Sequence, residues 1–171
     1  MNALLIRHAA AIAPGTPGVL EDERPLASFA EVKFRAAARG LARIAPAPDV
    51  ILTSPVARAR ATAEIVAHAF TSRAPGIEPT LDGTTVDGIM AALKRQPDEA
   101  TVALVGHEPM LGTLLARLLG LTEGERLAFR RGGAALVELP DGLDGPGRLI
   151  WFLHPRVLRT LAPGSGIARK T

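Results

Sequence analysis

The sequence predicts an α/β protein, a three-layer α/β/α arrangement around a mainly parallel mixed sheet with a C-terminal antiparallel hairpin. Two observations predict it. Short β-branched or aliphatic runs alternate with longer segments of helical period, and those runs are apolar throughout, as strands covered on both faces are. The last third of the chain breaks this alternation with two apolar runs joined by the turn-rich PDGLDGPG, which reads as a hairpin.

The elements follow in order. Met1–Arg7 is a buried strand that delivers Arg7 and His8 at its C-terminal end, and Ala13–Pro25, rich in Gly, Pro and acid, is a loop. The first helix is expected from Ser28. Ser28 and Glu31 read as a capping box, Phe29, Val32, Ala36, Gly40 and Ile44 recur at helical spacing, and Pro46 and Pro48 end it. Asp49–Thr53 is the second strand, followed by a helix with Ser54 as N-cap, Pro55 at its first position and Val56, Ala59, Ala63, Val66 and Phe70 on its apolar face. Val86–Lys94 is a short helix, Thr101–Val105 the third strand, and Pro109–Leu119 a helix that buries Met110, Leu111, Leu114, Leu115 and Leu118. Gly133–Leu139 and Arg148–Leu153 form the hairpin.

With 171 residues, one domain over 1–160 is expected, with 161–171 a flexible basic tail. Hydrophobic residues at 47% and charged residues at 22% exclude a disordered chain. Lys+Arg 20 against Asp+Glu 17 leaves only +3, poor support for a nucleic-acid partner. The absence of cysteine excludes disulfides, thiolate metal sites and cysteine nucleophiles, so the chemistry falls to His, carboxylates or hydroxyls. No apolar run approaches the roughly 18 residues of a membrane helix. Ala3–Ile6 runs straight into Arg7 and His8 and is no signal peptide, so a cytoplasmic location is expected.

Three strand ends carry unusual residues: Arg7-His8, Ser54-Pro55 with Arg58, and Gly106-His107-Glu108. Ligands of open α/β sheets bind outside the carboxyl ends of the strands, so these segments should line one edge. Two histidines and two arginines without metal-ligand spacing fit an anion, phosphate above all. Arg58 adds a clue of its own. It falls in the first turn of its helix, where the macrodipole disfavours a cation unless an anion is shared with it. His68 and His154 match no such pattern and are assigned to structure or surface.

LIRHA at 5–9, ERPL at 23–26, LTSPVARARATAEI at 52–65 and VGHEPMLG at 105–112 resemble the histidine phosphatase superfamily, also called phosphoglycerate mutase-like, and within it the short bacterial SixA-type phosphohistidine phosphatases. The resemblance implies that His8 attacks phosphorus, that Arg7, Arg58 and His107 hold the phosphoryl oxygens, and that neither metal nor cofactor takes part. Arg24, Ser54 and Glu108 are added as candidate substrate contacts. Arg24 could instead be only a salt-bridge partner of Glu21 or Asp22. The chain departs from the family pattern at Ala10, Ala27 and Ala30. Where relatives carry an acid that protonates an alcohol leaving group, it offers Asp82 and Asp87 in the non-matching LDGTTVDG, with Glu108 a further possibility. A phosphohistidine leaves as imidazole with less help. The substrate is therefore expected to be a phosphorylated protein such as a phosphotransfer domain, the alternative being a small phosphorylated metabolite. A module that binds polyanions through Arg156, Arg159, Arg169 and Lys170 is a remote third reading.

Overall fold

The computed structural model describes residues 1–82, 85–121 and 127–164. In chain order the elements are β1 (Asn2–Arg7), α1 (Ser28–Leu41), β2 (Val50–Thr53), α2 (Ala57–Phe70), β3 (Gly76–Ile77), α3 (Val86–Lys94), β4 (Thr101–Gly106), α4 (Met110–Leu118), β5 (Ala134–Glu138), β6 (Arg148–Leu153) and α5 (Pro155–Thr160). They build one sheet in the order β3-β2-β4-β1-β5-β6. The four strands from β3 to β1 are mutually parallel, and β5 and β6 add antiparallel neighbours beside β1. This is the predicted mixed sheet with its hairpin.

Strand alternation divides the core. Leu4 and Ile6 of β1 point to one face with Phe34, Ala37 and Leu41 of α1, Ala59, Ala63 and Val66 of α2, and Leu158 of α5. Ala3 and Leu5 point to the other, with Ile89 and Leu93 of α3 and Leu111, Leu114 and Leu115 of α4. Helices thus cover both faces, and all six residues of β4 are buried, as a central parallel strand requires.

Several local expectations are corrected. Ser28 is the first helical residue and caps nothing; Ala27 is the N-cap without a side-chain hydrogen bond, and Glu31 pairs with Arg35 at 2.6 Å instead. The entry to α1 is set by long-range pairing, because Ala27 N–H donates to the Ala10 carbonyl at 3.0 Å and Ala11 bridges Leu26. The buried stripe is Ala30, Phe34, Ala37, Ala38 and Leu41, which leaves Phe29 and Val32 64% and 69% exposed. An alanine-rich helix offers more than one apolar stripe, and here the stripe with Phe34 and Leu41 faces the core. At Gly40 the approach is so close that a Cβ would lie 1.8 Å from the Leu158 carbonyl oxygen.

Pro55 is not the first residue of α2: the helix starts at Ala57 with Val56 as N-cap, and Ser54 caps no helical N–H. The short β3 and the terminal α5 carried no clear sequence pattern and are additions. His154 caps α5, its Nδ1 accepting the Arg156 N–H at 3.1 Å. Of the expected basic tail, residues 165–171 lie outside the described residues. Among the described residues no helix is long and apolar enough to cross a membrane.

Candidate active site

Strand register decides which residues meet. Ile6, Val105 and Thr53 are aligned across β1, β4 and β2, and Arg7 faces Gly106. The next residues leave the sheet together, held by His8 N–H to the Gly106 carbonyl at 3.0 Å and Ser54 N–H to the Val105 carbonyl at 3.1 Å. His8 and His107 emerge side by side, their ring centroids 4.8 Å apart. At this edge opens a polar cavity of about 340 Å³, lined among others by Arg7, His8, Arg24, Arg58, His107 and Arg131. The three strand ends singled out in the sequence do converge.

The ring of His8 is oriented by its own neighbour. Nδ1 lies 2.6 Å from the Ala9 carbonyl oxygen, which can only accept, so Nδ1 carries the proton and the neutral ring keeps its lone pair on Nε2. Ala9 is fixed in turn by α2: its N–H donates to Thr62 Oγ1 at 3.0 Å, while the Thr62 hydroxyl donates to the Arg58 carbonyl at 2.7 Å. From the other side Gly132 N–H donates to the carbonyls of Arg7 and His8, both at 3.1 Å. That turn uses φ +77 at Gly132, a conformation that favours glycine.

Burial, together with the charges of His107, Arg58 and Arg7, pushes His8 down to about 3 despite the opposing effect of its bond to Ala9. His107 is pushed down to about 4 by burial and by Arg58 and Arg7. Both imidazoles are therefore neutral at pH 7, the state a histidine nucleophile requires. Burial also lowers the basicity of Arg7 and Arg58, with Arg24 adding repulsion at Arg58. Guanidiniums keep their charge even so.

The candidate contacts divide. Arg24 reaches the cavity and is also tied down, donating to the Ile12 carbonyl at 2.6 Å and pairing with Glu21 at 2.5 Å. Of the two acids the sequence offered as its partner, Glu21 holds it. Arg58 donates to the Glu21 carbonyl at 2.9 Å, so the acidic turn Glu21–Glu23 anchors both arginines from outside. Ser54 is fully buried and stands behind His107, its Oγ 2.9 Å from Nε2 and accepting the Val56 N–H at 3.3 Å. Glu108 lines the cavity and accepts the Phe129 N–H at 2.6 Å. Arg7 donates to the Phe129 carbonyl at 2.5 Å. Asp82 lines the same cavity, a better placement than its sequence context suggested. Asp87 is instead exposed, 3.7 Å from Arg117.

Arg131, Thr62 and the Ala9 carbonyl escaped the sequence reading. Thr62 had a signal, since it follows Arg58 by one helical turn within RARATA. Arg131 had none beyond its place before the turn into β5. A roomier hollow of about 470 Å³ lies at the opposite edge of the sheet. Its lining includes Asp98, Glu99, Glu138, Asp141 and Asp144, a charge that repels phosphate.

No protein-family model matches the chain. An uncharacterized protein of Picosynechococcus sp. is 33% identical over 138 residues, 78% of this chain and 82% of that protein. Among solved structures, a protein histidine phosphatase SixA complexed with tungstate aligns with TM-score 0.80 and 26% identity, covering 92% of this chain and 99% of that one. A candidate phosphohistidine phosphatase SixA of Agrobacterium tumefaciens aligns with TM-score 0.75 and 27% identity over 90% of this chain and 97% of its own.

Proposed function

Because the chain belongs to the histidine phosphatase superfamily, in its SixA-type branch, we propose that it is a phosphatase that removes the phosphoryl group from phosphohistidine on a protein. The observation that carries this reading is the neutral, oriented His8 within a cradle of arginines at the open edge of the sheet. Similarity to two structures named as phosphohistidine phosphatases, and to one named as a protein histidine phosphatase, supports the substrate class.

In the first step His8 Nε2 attacks phosphorus, the P–N bond to the substrate imidazole breaks, and that imidazole takes up a proton as it leaves. Arg7, Arg58 and the His107 ring hold the equatorial oxygens, where negative charge spreads in the transition state. In the second step water attacks the phosphorus of phospho-His8. The P–Nε2 bond breaks, the electron pair returns to the ring, the water's proton passes to solvent, and phosphate departs. Nδ1–H stays bonded to the Ala9 carbonyl throughout and is better acidified when the ring is phosphorylated, so the same contact serves both steps.

One observation favours a second reading, a small-molecule phosphomonoesterase. Asp82 lines the cavity, where a carboxyl group can protonate an alkoxide leaving group. Glu108 lines the same cavity and accepts the Phe129 N–H at 2.6 Å.

The deciding experiment follows phosphate release from a histidine-phosphorylated phosphotransfer domain, from p-nitrophenyl phosphate and from a sugar-phosphate panel, at neutral pH with a chelator present. Fast release from the phosphoprotein, slow ester hydrolysis and no loss to the chelator are expected. Efficient ester turnover that collapses in Asp82→Asn would establish the second reading instead.

A further inference from the structure

We infer that the surface beside the cavity, built from Phe29, Val32 and Lys33 of α1 with Arg131 and Arg159, docks the phosphoprotein substrate through an acidic face carrying an apolar side chain. This inference rests on the phosphohistidine reading and adds to it the means by which a protein is distinguished from a free phosphoester.

Phe29 and Val32 stand on one face of α1, three residues apart, and are among the most exposed large apolar side chains. The helix buries its alanine stripe, so packing of this chain gives them no role. Phe29 carries the Lys33 ammonium over its ring at 5.3 Å from the centroid, an amphipathic pairing that suits a protein contact better than bare solvent. Beside Phe29 lies a shallow hollow of about 130 Å³ lined by Ala9, Ala10, Phe29, Lys33, Arg131 and Arg159, among others, and among the described residues no carboxylate contributes to its wall.

Continuity and charge identify the occupant. Ala9 and Ala10 directly follow His8, and Arg131 lines both the hollow and the catalytic cavity. A group held at His8 therefore has its surroundings laid against this surface. A histidine on a folded domain brings neighbouring side chains with it, which a free phosphoester lacks. Lys33, Arg131 and Arg159 select acidic neighbours, and the hollow accepts an aliphatic one. Glu21 and Asp22 stand instead beside Arg58, and neither of them lines this hollow.

The test compares wild type, Phe29→Ser, Lys33→Glu and the double variant on two probes, a histidine-phosphorylated phosphotransfer domain with an acidic surface and phosphoimidazole. Both side chains are exposed, so folding is preserved. KM for the phosphoprotein should rise about tenfold in the double variant and also rise with salt in the wild type, while phosphoimidazole turnover stays unchanged. Unchanged KM in all variants, on a wild type that cleaves the phosphoprotein, would overturn the docking surface alone. A wild type that leaves the phosphoprotein intact but hydrolyses esters would overturn the function reading and this inference with it. If sedimentation shows a wild-type dimer that Phe29→Ser dissolves, with phosphoprotein KM unaltered, the surface belongs to a second copy and the inference fails.

Discussion

Thr62 Oγ1 lies 3.0 Å from Ala9 N, and this one contact ties the arginine-bearing helix α2 to the residue whose carbonyl orients His8. Arg58 and His8 are thereby positioned by the same buried hydroxyl, which also donates to the Arg58 carbonyl.

Thr62→Val keeps the shape and removes that link. A buried Ala9 N–H is left without its acceptor, which should cost about 1–3 kcal/mol of stability in denaturant unfolding. Misorientation of His8 should lower kcat by about tenfold to a hundredfold with a smaller effect on KM. Thr62→Ser retains the hydroxyl and should recover most of both losses.

His8→Ala should abolish turnover, with kcat falling by about a thousandfold or more, since it removes the attacking nitrogen while the Nε2 of the neighbouring His107 is engaged by Ser54 Oγ at 2.9 Å. Rapid-quench trapping with labelled substrate should show an acid-labile phosphoenzyme in the wild type and none in the variant. An active His8→Ala enzyme would refute covalent catalysis at this residue.

The lowered basicity of His8 and His107 makes stability depend on pH in a stated direction. Unfolded, each histidine titrates near 6.5; folded, they bind protons only at about 3 and about 4. Between those limits the unfolded chain holds protons that the folded chain does not, so stability is full above about 6.5 and falls as pH drops toward 4. Urea midpoints between pH 8 and pH 5 should decline less steeply in His8→Asn and His107→Asn than in the wild type. Added phosphate should raise the wild-type midpoint, because an anion binds only the folded cradle.

Gly40→Ala probes the α1 and α5 contact, where a new Cβ would fall 1.8 Å from the Leu158 carbonyl oxygen. The helices must separate, so stability should drop by about 3 kcal/mol. Activity per folded molecule should be little altered, since this contact lies away from the cavity. A neutral Gly40→Ala in urea unfolding would contradict the close packing.

The sequence alone determined the layered α/β class and most strands and helices, and it singled out Arg7, His8, Arg58 and His107 as residues that should share one edge, because period, turn residues and strand-end chemistry are local properties of the chain. It placed Val86–Lys94 and Arg148–Leu153 at their observed bounds for the same reason. What it misread depended on partners distant in sequence. Which stripe of α1 faces the core was decided by packing, and its first turn was set by the pairing of Ala27 with Ala10, neither of which a helical period contains. Ser54 read as a helix cap and became the partner of His107 because β2 and β4 run side by side in register. Arg131 and the Ala9 carbonyl joined the site only through folding: one reaches the cavity from the turn before β5, and the other acquires its role from the rotamer of the preceding histidine. Local patterning specifies which elements form, and long-range packing decides which faces and atoms meet.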